Sequence, residues 1–78
     1  MKLIALNLPR DLDEPSLENL FKFHGTVTAC TLVLDAKSGA SKGFGFIEME
    51  LEQDAVIAIE KLNGTKLKQN KIRVKLAT

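Results

Sequence analysis

The chain has no Trp, no Tyr, two Pro and one Cys in 78 residues, and each shortage closes off a class of protein. The single cysteine, Cys30, forms no intrachain disulfide and no Cys-x-x-Cys redox or metal site; in VTACTLVL it reads as a small core residue. No apolar run approaches the length of a membrane span, and the start MKLIALNLPRDLDE lacks the long apolar core of a signal peptide. The expectation is an intracellular protein, cytoplasmic with the nucleus as the alternative, with no membrane and no cofactor. A chain this short buries only about 60 to 65 % of its unfolded surface, which leaves little room for a deep enzyme cleft.

An excess of charge is missing as well: eleven basic and ten acidic residues leave a net charge of +1. By itself that argues against a strongly electrostatic polyanion binder, but the distribution says more. From Lys61 to Thr78 there are six basic residues and no acid, whereas Glu48 to Glu60 contains five acids and no base. A basic stretch of this kind makes a local positive field when the fold gathers it on one side. The remaining composition, 45 % hydrophobic and 27 % charged, is that of an ordinary single globular domain over residues 1–78.

The apolar pattern switches period along the chain. KLIALNL (2–8) reads as a strand that stops at Pro9. Asp13 then suits a helix N-cap, Glu14 and Pro15 its first turn, and Leu12 can staple to Leu17. Leu17, Leu20, Phe21 and His24 recur at helical spacing until Gly25. VTACTLVL (27–34) is β-branched and ends in the polar loop DAKSGASKG; Gly43 to Glu50 returns as its hairpin partner. Ala55, Ala58, Ile59 and Leu62 define a second helix ended by Asn63-Gly64, and KIRVKL (71–76) alternates as a half-buried strand. The order is β-α-β-β-α-β, a ferredoxin-like α+β sandwich: a four-stranded antiparallel sheet with both helices on one face.

That arrangement decides a question posed by SKGFGFIEMEL (41–51). The helices cover one side of the sheet, which must take Ile47, Met49 and Leu51, with Gly45 where a helix approaches closely. Period-2 alternation then puts Phe44, Phe46, Glu48 and Glu50 on the uncovered face. A lone exposed Phe is normal, but two in line on a central strand mark a binding surface. Ile72 and Val74 face the core, so Arg73 and Lys75 share the face with the rings. Rings beside cations suit unpaired nucleobases, stacked at about 1 to 3 kcal/mol each while Lys and Arg hold phosphates.

At this point the residues match a family. Lys42-Gly43-Phe44-Gly45-Phe46-Ile47-Glu48-Met49 resembles the RNP1 octamer of the RNA recognition motif, and Leu3-Ile4-Ala5-Leu6-Asn7-Leu8 resembles its first-strand hexamer, RNP2. The likeness covers the whole chain, through ENLFKFHG, DAKSGASKGFGF and IEKLNGTKLKQNKIRVKLA. The resemblance implies that Phe46 stacks a base, that Phe44 packs against sugars between two nucleotides, and that Lys42 meets a phosphate. Arg73 and Lys75 would contact phosphate or base edges, and Ala77 would mark where main-chain groups read a base. Lys2, Ile4, Val33 and Glu48 complete the candidate set, while Asn7 is expected to hold a loop. Two departures stand out. Ile4 occupies a position where the family usually has an open-face ring, a loss that weakens binding by roughly five- to 150-fold. His24 lies where the family commonly has an aromatic packing residue, and is read as helix-end packing.

The leading expectation is therefore a non-enzymatic module for single-stranded RNA, with single-stranded DNA a chemically similar partner, acting as a monomer. The rival is a protein-interaction module in which Ile4, Val33, Phe44 and Phe46 meet a peptide or a second copy as a weak homodimer. Small acyl phosphatases share the topology, but LPRDLDEP offers no Gly-rich cradle, and Gly43-x-Gly45 within a strand is no dinucleotide fingerprint.

Overall fold

The computed structural model describes residues 1–77. The elements run β1 (Lys2–Leu6), α1 (Glu14–Lys22), β2 (Val27–Leu34), β3 (Ser41–Met49), α2 (Glu52–Leu62), β4 (Lys66–Leu67), β5 (Asn70–Lys71) and β6 (Arg73–Leu76). The main sheet has the order β2-β3-β1-β6, with every neighbouring pair antiparallel. The core lies between this sheet and the helices: Leu3, Ala5, Ile47, Met49, Ile72 and Val74 from the strands meet Leu17, Phe21, Ala55 and Ala58 from the helices, all buried. The expected ferredoxin-like sandwich is the observed fold.

Local chemistry explains most boundaries. Asp13 is the N-cap of α1, its carboxylate accepting from the Ser16 amide at 2.9 Å. Leu12 and Leu17, the residues flanking that cap, are both buried in the core, as a hydrophobic staple requires. β1 is shorter than expected because Asn7 adopts φ 59°, a left-handed conformation that ends the strand before Leu8. Asn63 ends α2, and its backbone N–H donates to the Ile59 carbonyl.

Three expectations change. Leu51 lies beyond β3 as the N-cap of α2 and is 48 % exposed; the alternation that buries Ile47 and Met49 stops where the strand stops. Residues 71–76 are not one strand, because the ladder hands over at Ile72. Upstream of it, β5 pairs with β4 in a small ribbon, and downstream β6 pairs with β1. That ribbon turns at Lys68-Gln69, with φ 56° at Lys68, and the dipeptide lacks the Gly or Asn that usually announces such a turn. Cys30 is only partly buried, packed against the rim of the core.

Candidate nucleic-acid interface

The β3 segment reaches the open face through two glycines with different tasks. Gly43 has φ 84°, a conformation L side chains rarely adopt, and a Cβ there would lie 3.0 Å from Arg10 Nε. It sits in an irregular stretch: Leu32 opposes Gly45 and Leu34 opposes Ser41, so β3 carries two more residues than β2 over that interval. The Gly43 amide donates to Ser41 Oγ at 3.0 Å and its carbonyl accepts from Leu8 N at 2.8 Å. Gly45 is a close approach: a Cβ would stand 2.7 Å from the Thr31 carbonyl and 2.9 Å from Leu17 Cδ2 of α1. The helix does come close at the position expected.

Past these glycines the side chains divide as alternation demands. Gly43, Gly45, Ile47 and Met49 are buried, whereas Phe44 and Phe46 are half-buried and Lys42 and Glu48 exposed. The two rings stand nearly perpendicular, centroids 6.1 Å apart at 83°, an edge-to-face pair. Their orientations differ, so they do not form one flat platform. Lys2 Nζ lies 5.0 Å from the Phe46 centroid, within cation–π range.

Register places the remaining candidates around the rings. One rung crosses all four strands: Thr31 opposes Phe46, Phe46 opposes Ile4, and Ile4 opposes Lys75. Lys2 opposes Glu48 on the next rung, and Leu6 opposes Arg73 on the other side. Phe46 is bordered on both flanks. A shallow cavity of about 440 Å³ is lined by Lys2, Ile4, Phe46, Lys75, Leu76 and Ala77, and a smaller one by Lys2, Ala29, Thr31, Phe46 and Glu48. Val33 is half-buried, on the side of β2 opposite the buried Leu32. The Ala77 amide donates to the Lys2 carbonyl at 2.9 Å, which leaves its carbonyl side for any base contact. Asn7 holds loops together: its Nδ2 donates to the Lys71 carbonyl at 2.9 Å while Asn70 Nδ2 donates to the Asn7 carbonyl at 3.1 Å.

Arg10 is a residue that sequence reasoning missed. Its Nη1 donates to the Ser41 carbonyl at 3.3 Å, and with Lys42, Phe44 and Asn70 it lines a depression beside the second ring. In LPRDLDEP nothing announces this, because its position depends on the loop folding back onto Gly43. The loop after β2 is also tighter than a free flap: Asp35 accepts from the amides of Lys37 and Ser38, and Asp35 N donates to the Ala40 carbonyl at 2.7 Å. These two amide bonds hold the Asp35 carboxyl below its ordinary range. At the far end of α1, Phe23 is 87 % exposed, edge-on to His24 at 5.3 Å. The aromatic that packs the helix is Phe21, fully buried.

Comparison with known proteins settles the family. The model of the RNA recognition motif matches residues 6–73. The chain belongs to that family. As an RNA recognition motif it is 42 % identical over 71 residues, 91 % of its length, to the RNA-binding protein CP31B, chloroplastic, of Arabidopsis thaliana. It covers 25 % of that protein, and it spans about a quarter of the length of several curated relatives it matches. Among solved structures, the crystal structure of the RNA-binding protein PG1 superposes with TM-score 0.95 at 39 % identity, over 99 % of this chain and 93 % of that one. An Sxl-lethal protein/RNA complex gives TM-score 0.95 at 32 % identity, over 99 % of this chain and 46 % of that one.

Proposed function

We propose that this domain binds single-stranded RNA on the open face of its sheet and catalyses no reaction there. The observation that carries the reading is the rung Thr31–Phe46–Ile4–Lys75: an aromatic ring in the middle of a solvent-facing sheet, flanked by cavities and by cations at Lys2 and Lys75. A base stacks on any π-face, and Lys or Arg beside it neutralises the phosphate that follows. That a relative at 32 % identity was solved in complex with RNA supports the same use of the fold.

The roles we assign are those that the family resemblance implies, set on the positions described above. Phe46 stacks one base over the 440 Å³ cavity, and Ile4 and Lys75 form its floor and rim. Phe44, turned 83° from Phe46, packs against sugars. Lys42, Arg73 and Lys75 meet phosphates or base edges; Lys2, Val33 and Glu48 border the stacked bases, and the Ala77 carbonyl reads a base edge. Residues 1–78 act as one such module, with single-stranded DNA a weaker ligand wherever a 2′-hydroxyl is contacted. We place it inside the cell without restricting it to the cytoplasm, since the name of the Arabidopsis relative assigns that protein to the chloroplast. Among the described residues no helix is long and apolar enough to cross a membrane.

The test is titration with randomised short RNAs, read by amide chemical shifts. Phe46→Ala should weaken binding by roughly five- to 150-fold, the equivalent of about 1 to 3 kcal/mol of stacking, and Phe44→Ala should weaken it through the lost sugar contact, both with an unchanged fold. If both variants bind as tightly as the parent, the sheet face is not the RNA site. Concentration-dependent dimerisation with no shifts on adding RNA would instead favour the apolar face as a protein contact.

A further inference from the structure

Two lysines outside this site are arranged in a way the sheet alone does not explain. Lys66 of β4 and Lys71 of β5 are direct cross-strand partners, a like-charge pairing that opposes the ribbon's own formation. Lys68, in the turn of the same ribbon, is paired at 2.7 Å with Asp11. Among the described residues no carboxylate reaches within 4.0 Å of Lys66 or Lys71.

The ribbon is also oriented. Gly64 N donates to the Ile72 carbonyl at 2.8 Å and Ile72 N to the Thr65 carbonyl at 2.9 Å, so the ladder continues to Ile72 before Arg73 pairs with Leu6. Ile72 is buried and Leu67 packs against the core, which fixes the inward face. Lys66 and Lys71 lie on the opposite one, the side from which Arg73 and Lys75 project. Asn70 ties the ribbon to Asn7 and lines the depression beside Phe44. By alternation Lys71 continues the row of Arg73 and Lys75, and Lys66 is its cross-strand partner, so a strand of nucleic acid held by Arg73 would meet the lysine pair next.

We propose that the β4–β5 ribbon is a second anion-binding element, whose paired Lys66 and Lys71 take backbone phosphates of RNA extending beyond the nucleotides held by Phe44 and Phe46. The proposal rests on the RNA-binding reading above and adds to it a longer footprint. The aromatic face takes two or three bases; the ribbon adds contacts only to a longer strand.

Labelled random-sequence RNAs of about four and about ten nucleotides, titrated by anisotropy at two salt concentrations, test it against a Lys66→Gln/Lys71→Gln variant. Each neutralised phosphate of a single strand contributes about 0.7 to the log–log salt slope. The parent should thus lose about sevenfold more affinity for the longer RNA than the variant does between roughly 50 and 200 mM salt. The shorter RNA should not distinguish the two proteins, and Lys66→Arg/Lys71→Arg should behave as the parent. Equal slopes of parent and Gln variant on the longer RNA would overturn the proposal while leaving the sheet site intact. A parent that binds neither RNA would remove the sheet reading and the ribbon with it.

Discussion

Under the proposed function, Ile4 is the residue on which the strength of RNA binding turns. It stands between Phe46 and Lys75 on one rung and is half-buried, so a base laid over it meets an aliphatic side chain where a ring would stack. Ile4→Phe should tighten RNA binding by roughly five- to 150-fold, measured by the same titration, and unchanged affinity would mean that no base lies over β1. Gly45 makes the opposite point about the covered side. A methyl group there collides with the Thr31 carbonyl and Leu17, so Gly45→Ala should cost about 1 to 3 kcal/mol. For a domain of this size that is a fall of roughly 4 to 8 °C in melting temperature per kcal/mol. A variant that melts with the parent would show that α1 yields freely at Leu17. Alternation alone was enough to tell Phe44 and Phe46 from Ile47 and Met49, because it is a local property of the backbone. Arg10 was invisible for the complementary reason: its place beside Gly43 depends on a loop returning across the sheet edge.

At the level of elements, each outer edge of the main sheet has one amide taken by a helix-borne or helix-capping side chain. Glu14, in the first turn of α1, accepts from the Leu32 amide of edge strand β2 at 2.9 Å; Asn63, the C-cap of α2, accepts through Oδ1 from the Val74 amide of β6 at 3.0 Å. Unpaired edge amides invite strand-to-strand association, and these two bonds cover one such amide on each side. Glu14→Ala and Asn63→Ala should each lower stability by about 1 kcal/mol and, together, raise the tendency to self-associate, detected by light scattering during thermal unfolding. A double variant as soluble and as stable as the parent would show these caps to be incidental. Helices and long strands were readable because caps and periodicity are written in adjacent residues, Asp13 and the Leu17–Phe21 stripe above all. The β4–β5 ribbon was not, since two residues per strand carry no period and Lys68-Gln69 carries no turn signal. Without it, Lys66 was only a member of a basic stretch and Lys71 the first residue of the last strand.

For the whole molecule, the net charge of +1 conceals a polarised distribution. The helices carry Glu14, Glu18, Glu52, Asp54 and Glu60 against Lys22 and Lys61, while the strands carry Lys2, Lys42, Lys66, Lys71, Arg73 and Lys75 against Glu48 alone. A polyanion approaching the domain is thus drawn to the sheet side and repelled from the helical side, an orienting effect that net charge does not report. Charge also bounds stability. Hydrogen bonding from Lys68 lowers the Asp11 carboxyl, bonding from Ser16 lowers Asp13, and the Ser38 and Lys37 amides lower Asp35, each from the usual 3.8. A carboxyl lowered by folding supplies stability above its unfolded value and loses it as pH falls through the folded one. The acid limb should therefore begin below about pH 4. Cys30 works in reverse: burial first, then the charges of Glu14 and Glu18, pushes its thiol from 9.0 up to about 11. Folding favours the neutral thiol, so that contribution is complete below about pH 9 and disappears as pH rises toward 11. Melting temperature against pH should show a plateau between these limbs. Asp35→Asn should shallow the acid limb and Cys30→Ala the alkaline one, because each removes a group whose proton affinity folding changes. An alkaline limb identical in parent and Cys30→Ala would mean that the thiol, half-open at the rim of the core, feels no burial at all.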